Sequence, residues 1–374
     1  MLAGIIERTQ SAALSTIVES ETIMWTRRAC ISGMMATTAV TQSQAREPVN
    51  AKRPVIDGID LPAGFNGLLA YARGGKMRHL RCVGASNLAA DHAVSRETQF
   101  RWGSVTKWLT SVALLRLVEQ RRLTLEASVS SLLPGFREDT GRQVALQNLL
   151  SNTSGIPDLL SRRLPSEPGL RSSTATSREM VARFGGGDLD FAPGIGWDYS
   201  ALNWVIIAAI IERVTGEPYP VALRRLVLKP LNMTGAFIDA PDVPQPRLAL
   251  SYDAAVSPAV KIAPAPAFIA ATGNLAGTVD DAVRAAHGVF HGSLLGAASR
   301  AELTRIRWQP QEYALGGRVR MIGGEPWAWE TGKVAGYRTH IAHRLRSSET
   351  IVIFNTTDMD QGVIGSWAER IALA

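Results

Sequence analysis

The stretch FRWGSVTKWLTSVALLRLVEQRRL, Phe100 to Leu123, decides how the rest of this chain is read. From Ser104 onward it holds neither proline nor glycine, and apolar residues recur at 105, 108, 109, 112, 115 and 118. That spacing predicts a helix beginning at the Gly103-Ser104 junction. A side chain there stands beside unpaired backbone N–H groups and the positive end of the helix dipole. Such a setting favours an oxyanion forming next to the serine. Lys107 follows one turn along, on the same face. A serine hydroxyl is a weak nucleophile until a base takes its proton. A lysine does this when burial lowers its pKa toward neutrality. Trp102 and Trp108 flank the pair and are expected to supply that apolar setting. Alone, Ser-x-x-Lys is equally the pattern of a serine cap followed by a solvated lysine.

Outward from this helix, Phe65 to Ala72 and Met77 to Val83 read as hairpin strands across Gly74-Gly75. Leu202 to Thr215 is a second strong helix, stopped by Gly216 with Pro218 beyond. Residues 238–268, rich in Pro and Ala, read as irregular. Asp280 to Phe290, Ser299 to Arg305 and Val363 to Ala372 read as helices. Trp327 to Thr331, Arg338 to His343 and Thr350 to Asn355 read as short strands. Strands at both ends with helices between predict an α+β fold whose sheet is built from both termini. The sheet lobe spans about 46–100 and 276–374, and a helical lobe about 101–275. Together residues 46–374 form one expected catalytic domain.

The chain has 374 residues, 46% hydrophobic and 20% charged, an ordinary globular composition. Its net charge of +7 is spread over scattered arginines. No basic stripe alternates with aromatics, so nucleic acid is not expected as a partner. The two cysteines, Cys30 and Cys82, do not suggest a structural disulfide. Residues 1–45 form a separate unit. Arg27 and Arg28, a mildly apolar run from Cys30 to Val40 and small residues near Ala45 resemble a twin-arginine export signal over 24–45. Residues 1–23 then form an upstream extension before a natural start at Met24. The expectation is a periplasmic or secreted protein; the alternative is a cytoplasmic enzyme with an N-terminal arm. No other apolar run reaches the ~18 residues of a membrane span.

Further segments change the weight of the serine-lysine pair. LQNLLSNTSGIPDLL (Leu146 to Leu160), FAPGIGWDYSALNWVIIAAIIERVTGEPY (Phe191 to Tyr219), LVLKPLNMTGAF and WETGKVAGYRTHIA (Trp329 to Ala342) follow in order. With the Ser104 segment they resemble the serine β-lactamase and penicillin-binding-protein superfamily: class C β-lactamases, DD-peptidases and family-eight esterases. The resemblance runs from Phe65 to the end. It implies Ser104 as acylating nucleophile, Lys107 as its base and Tyr199 as proton shuttle. It also implies an oxyanion hole from the backbone N–H groups of Ser104 and Lys333, and a substrate-side triplet at Glu330, Thr331 and Gly332. It implies no metal and no cofactor.

Two positions depart from the family. Ala201 stands where a Tyr-x-Asn asparagine is usual, and alanine has no amide to offer. Glu330 stands where a lysine or histidine opens the Thr-Gly triplet. A glutamate repels a substrate carboxylate. It has two readings: paired with Lys107, or protonated and donating. Lys333 or Arg338 are the alternatives for a displaced positive charge. The expected activity is acyl transfer to water from a small ester or amide. The alternatives are a β-lactamase or D-alanyl-D-alanine peptidase acting on a lactam or peptide, and an inactive member that only binds. His287 and His291, four residues apart, read as a surface pair because no third zinc ligand follows.

Overall fold

The computed structural model of the chain describes residues 52–90, 92–240, 245–254, 258–262 and 264–374. The expected extension and signal at 1–45, with Cys30, lie outside these residues.

Both ends of the described chain build one sheet. β1 (Gly67–Arg73) and β2 (Lys76–Val83) pair as a hairpin. Its turn is Gly74-Gly75, with φ of 59° and 71°, the left-handed pair that matches the strand twist. β3 (Arg318–Ile322), β4 (Glu325–Val334), β5 (Tyr337–Arg344) and β6 (Glu349–Asn355) come from the other end. The order is β2-β1-β6-β5-β4-β3, and every neighbouring pair is antiparallel. The expected mixed fold is therefore present, with one strand more than its sequence pattern revealed. β3 is an edge strand, only partly buried on either face, so it carries no clear apolar period.

Five helices position the site: α1 (Arg53–Asp57), α2 (Thr106–Glu119), α3 (Ala201–Thr215), α4 (Val279–Phe290) and α5 (Gln361–Leu373). α1 and α5 cover one sheet face, where Ile56, Trp367 and Ile371 meet Leu69, Tyr71, Ile351 and Ile353. α2 and α4 lie on the other, where Leu68, Ala70, Val352 and Phe354 join the larger core. Alternate residues of a strand point to opposite faces, so β1 and β6 read as unbroken apolar runs. α3 is buried from Leu202 through Ile211, as an all-round apolar helix must be. Ser200 caps it by accepting the Asn203 N–H at 3.3 Å, and Gly216 ends it at φ 73°. The expected helices over 280–290, 299–305 and 363–372 run Val279–Phe290, Ala297–Thr304 and Gln361–Leu373, each starting one or two residues earlier. Helix α2 starts two residues later than expected, because Gly103–Val105 form a tighter 3-10 turn first.

Ahead of that turn, Phe100–Arg101 pairs with Leu275–Gly277, which pairs in turn with Phe237–Ile238. This small sheet holds the chain on its way into Ser104.

Candidate active site

Two glycines bring β4 against the serine turn. Gly103 has φ 53°, and a Cβ there would lie 2.8 Å from the Lys333 backbone nitrogen. A Cβ on Gly332 would lie 1.9 Å from the Trp102 carbonyl oxygen. The far half of β4 runs free of β3, which pairs only with residues Glu325 to Trp329. Its edge, from Glu330 to Lys333, thus lies beside the start of α2.

Three side chains meet at this junction. Ser104 Oγ accepts hydrogen bonds from Lys107 Nζ at 3.1 Å and from Tyr199 OH at 2.7 Å. Lys107 is 4% exposed, and its Nζ also donates to the Thr272 carbonyl at 2.6 Å. That carbonyl comes from the turn Ala270–Gly273. The ammonium nitrogen stands 5.0 Å from the centre of the Tyr199 ring and 5.8 Å from that of Trp204. The aromatic setting of Lys107 is therefore not the Trp102 and Trp108 expected from the flanking sequence. Trp102 packs on Phe354 at 6.1 Å and Trp108 on Phe290 at 4.8 Å. Both indoles tie the turn to the core. Tyr199 is 39% exposed and faces the opening. It shares an aromatic cluster with Trp197 and Tyr313, at ring distances of 6.1 and 6.5 Å.

Glu330 is buried on the core side of β4. Its contacts are neither of those expected, a pair with Lys107 or a protonated acid that donates, because its oxygens accept. Arg318, from β3, donates to both carboxylate oxygens at 2.7 and 2.8 Å, and the Thr331 N–H donates at 2.8 Å. Burial pushes the carboxyl above its usual range, and Arg318, the Thr331 N–H and Lys107 pull against it. Arg318 is raised in turn: burial works to lower it, and Glu330, Tyr313 and Tyr199 together outweigh that. The displaced cation is thus Arg318 rather than Lys333 or Arg338. Lys333 is exposed. The Arg338 guanidinium is spent on the carbonyls of Met359, Ala335 and Tyr337. Arg318 escaped the sequence reading because only strand register brings it to Glu330.

Ala201 opens α3, and its N–H donates to Asp158 Oδ2 at 2.7 Å. Its methyl group offers the serine no amide. Thr331 and Gly332 follow Glu330 along the free edge. His287 and His291 are not simply a surface pair. His291 Nδ1 lies 2.8 Å from Nε2 of the buried His343, whose Nδ1 lies 2.8 Å from Thr350 Oγ1. His287 Nδ1 meets Ser348 Oγ at 2.7 Å.

The family model described as Beta-lactamase matches residues 60–374. The chain is 35% identical to Esterase EstB of Burkholderia gladioli over 173 residues, covering 43% of this chain and 44% of that one. It is 30% identical to the putative penicillin-binding protein PbpX of Bacillus subtilis (strain 168) over 175 residues, covering 46% and 41%. The chain therefore spans less than half the length of these curated relatives. Among solved structures, D-amino acid amidase from Ochrobactrum anthropi SV3 superposes with a TM-score of 0.72. That alignment has 21% identity and covers 86% of this chain and 97% of that one. At such identity the likeness speaks for the fold.

Proposed function

Since the chain belongs to the beta-lactamase family, we propose that it is a serine hydrolase that forms an acyl-enzyme on Ser104, using small esters or amides. The observation that carries this reading is the double contact at Ser104 Oγ, to Lys107 Nζ at 3.1 Å and Tyr199 OH at 2.7 Å. With Lys107 neutral, the first contact carries the serine proton to nitrogen as Oγ attacks the carbonyl carbon. The oxyanion that forms is held by the backbone N–H groups of Ser104 and Lys333. Tyr199 gives its proton to the departing oxygen or nitrogen and takes back the one that Lys107 received, and water then repeats the sequence on the acyl-serine.

The Arg318–Glu330 pair supports the choice of substrate. Where the family carries a bare cation, this site carries a neutralised pair, so a substrate carboxylate gains nothing there. A lactam or peptide with a terminal carboxylate is disfavoured relative to a plain ester. The test is hydrolysis of p-nitrophenyl acetate and butyrate by the parent and by Ser104→Ala. The parent turns both over and shows an acyl adduct on Ser104 by intact mass. The variant loses on the order of a thousandfold or more in kcat. Equal rates for the two proteins would remove the proposal, and faster turnover of nitrocefin than of the esters would restore the lactamase reading.

A further inference from the structure

A polar groove of about 770 Å³ adjoins the site without being used by the steps above. It lies between β3, β4 and the start of α5, and its walls include Gln309, Arg320, Trp329, Thr331, His340 and Gln361. Thr331 in its wall precedes Gly332, the residue that touches the serine turn, so the groove borders the same stretch of β4 edge. From Tyr199 the aromatic cluster leads to Tyr313, which bridges to Arg318 in the groove wall.

Three buried polar atoms on these walls find no partner among the described residues: Trp329 Nε1, His340 Nδ1 and Gln361 Oε1. His340 is 7% exposed, and burial with Arg320 nearby pushes its imidazole down to about 4, so the ring is neutral at ordinary pH. The indole nitrogen only donates, the glutamine oxygen only accepts, and a neutral imidazole nitrogen does one or the other. A carboxylate matches the donor but not the acceptor. A cation matches the acceptor but not the donor. A hydroxyl group matches both. The charges agree. Arg318 is held by Glu330 and Arg320 by Glu312 at 2.9 Å, so no guanidinium stands bare for an anion. An exposed Glu369 at the rim disfavours an anion further.

We infer that this groove receives the alcohol half of the ester and that the alcohol is neutral and polyhydroxylated, a sugar or polyol. The inference rests on the ester-hydrolase reading for the word alcohol, and on the groove alone for the ligand's chemistry. The experiment keeps the two apart. Four acetate esters are compared on the full chain: those of ethanol, methyl glucoside, choline and lactate. The sugar acetate is expected to exceed ethyl acetate at least tenfold in kcat/KM. Gln361→Leu and Gln309→Ala are each expected to lower the ratio of sugar to ethyl ester three- to tenfold. A ratio near one in the parent, a ratio unmoved in both variants, or a preference for the choline or lactate ester would overturn the inference. If no ester is turned over, the hydrolase reading fails and the groove is judged by binding. Tryptophan fluorescence of Ser104→Ala titrated with methyl glucoside then decides it. Saturable quenching that Gln361→Leu weakens sustains the groove, and its absence ends the proposal.

Discussion

At the scale of single residues, the exchange of a cation for Glu330 changes the site less than its charge suggests, because Arg318 arrives with it. The carboxylate is 3% exposed and the guanidinium 17%, so the pair stands mostly outside water. Pairs of this kind add little over apolar residues of the same size, yet breaking one strands a charge. Arg318→Met is therefore expected to destabilise the protein by about 3 kcal/mol in urea unfolding. Adding Glu330→Gln should return most of that loss, since the stranded group is then neutral. Additive effects of the two changes would mean that the pair is not coupled. None of this was legible in the sequence. Ser104, Lys107 and Tyr199 could be found because each sits in a local string with its own flanks. Arg318 belongs to no such string. It meets Glu330 through the β3–β4 register, in which Arg318 opposes Trp329, and register is a property of two strands rather than of one.

At the scale of elements, the serine turn and β4 are fitted to each other through backbone. Gly332 does not owe its identity to a left-handed conformation. Its absent side chain leaves room for the Trp102 carbonyl, which a Cβ would meet at 1.9 Å. Backbone cannot step aside as a flexible side chain does. Gly332→Ala is thus expected to push β4 off the turn and cost about 1–3 kcal/mol of stability. It should also cost on the order of a hundredfold in kcat, because the Lys333 N–H moves with the strand. A rate within twofold of the parent would show that the strand edge does not hold the oxyanion. Elements with strong periods were legible: α3, α4, α5, the hairpin and the three strands β4, β5 and β6. Their ends shifted by up to three residues because caps and pairing partners set them. β3 was missed because an edge strand with polar neighbours leaves no alternating signature. Trp102 and Trp108 were misassigned because adjacency in a helix does not say which neighbour each ring turns toward. Trp204, far along the chain, is the indole that faces Lys107.

At the scale of the whole molecule, acid is expected to undo the fold through histidines that serve no catalytic step. Two of them, His340 and His343, are buried on β5. Burial holds the His343 imidazole down to about 3, with His291 and His287 adding repulsion. Burial and Arg320 hold His340 down to about 4. Both values lie below the usual 6.5, so the unfolded chain takes up protons that the folded chain refuses. Stability from this source is complete above pH 6.5 and is lost as pH falls toward the folded values. At pH 5 each histidine has cost about 2 kcal/mol, and the two together take a large share of the 5–15 kcal/mol typical of a domain. The neighbours of His343 add to what burial does. Its two nitrogens face Thr350 Oγ1 and His291 Nδ1, each at 2.8 Å. A proton on His343 would add a charge beside His291, whose own imidazole burial, His287 and Arg300 hold below its ordinary value. Urea midpoints measured at pH 7 and pH 5 should therefore differ strongly in the parent. In His343→Gln the difference should shrink by roughly one proton's worth, about 2 kcal/mol, whatever the variant's stability at pH 7. An unchanged difference would place the acid sensitivity elsewhere, in the ion-paired carboxylates at the surface.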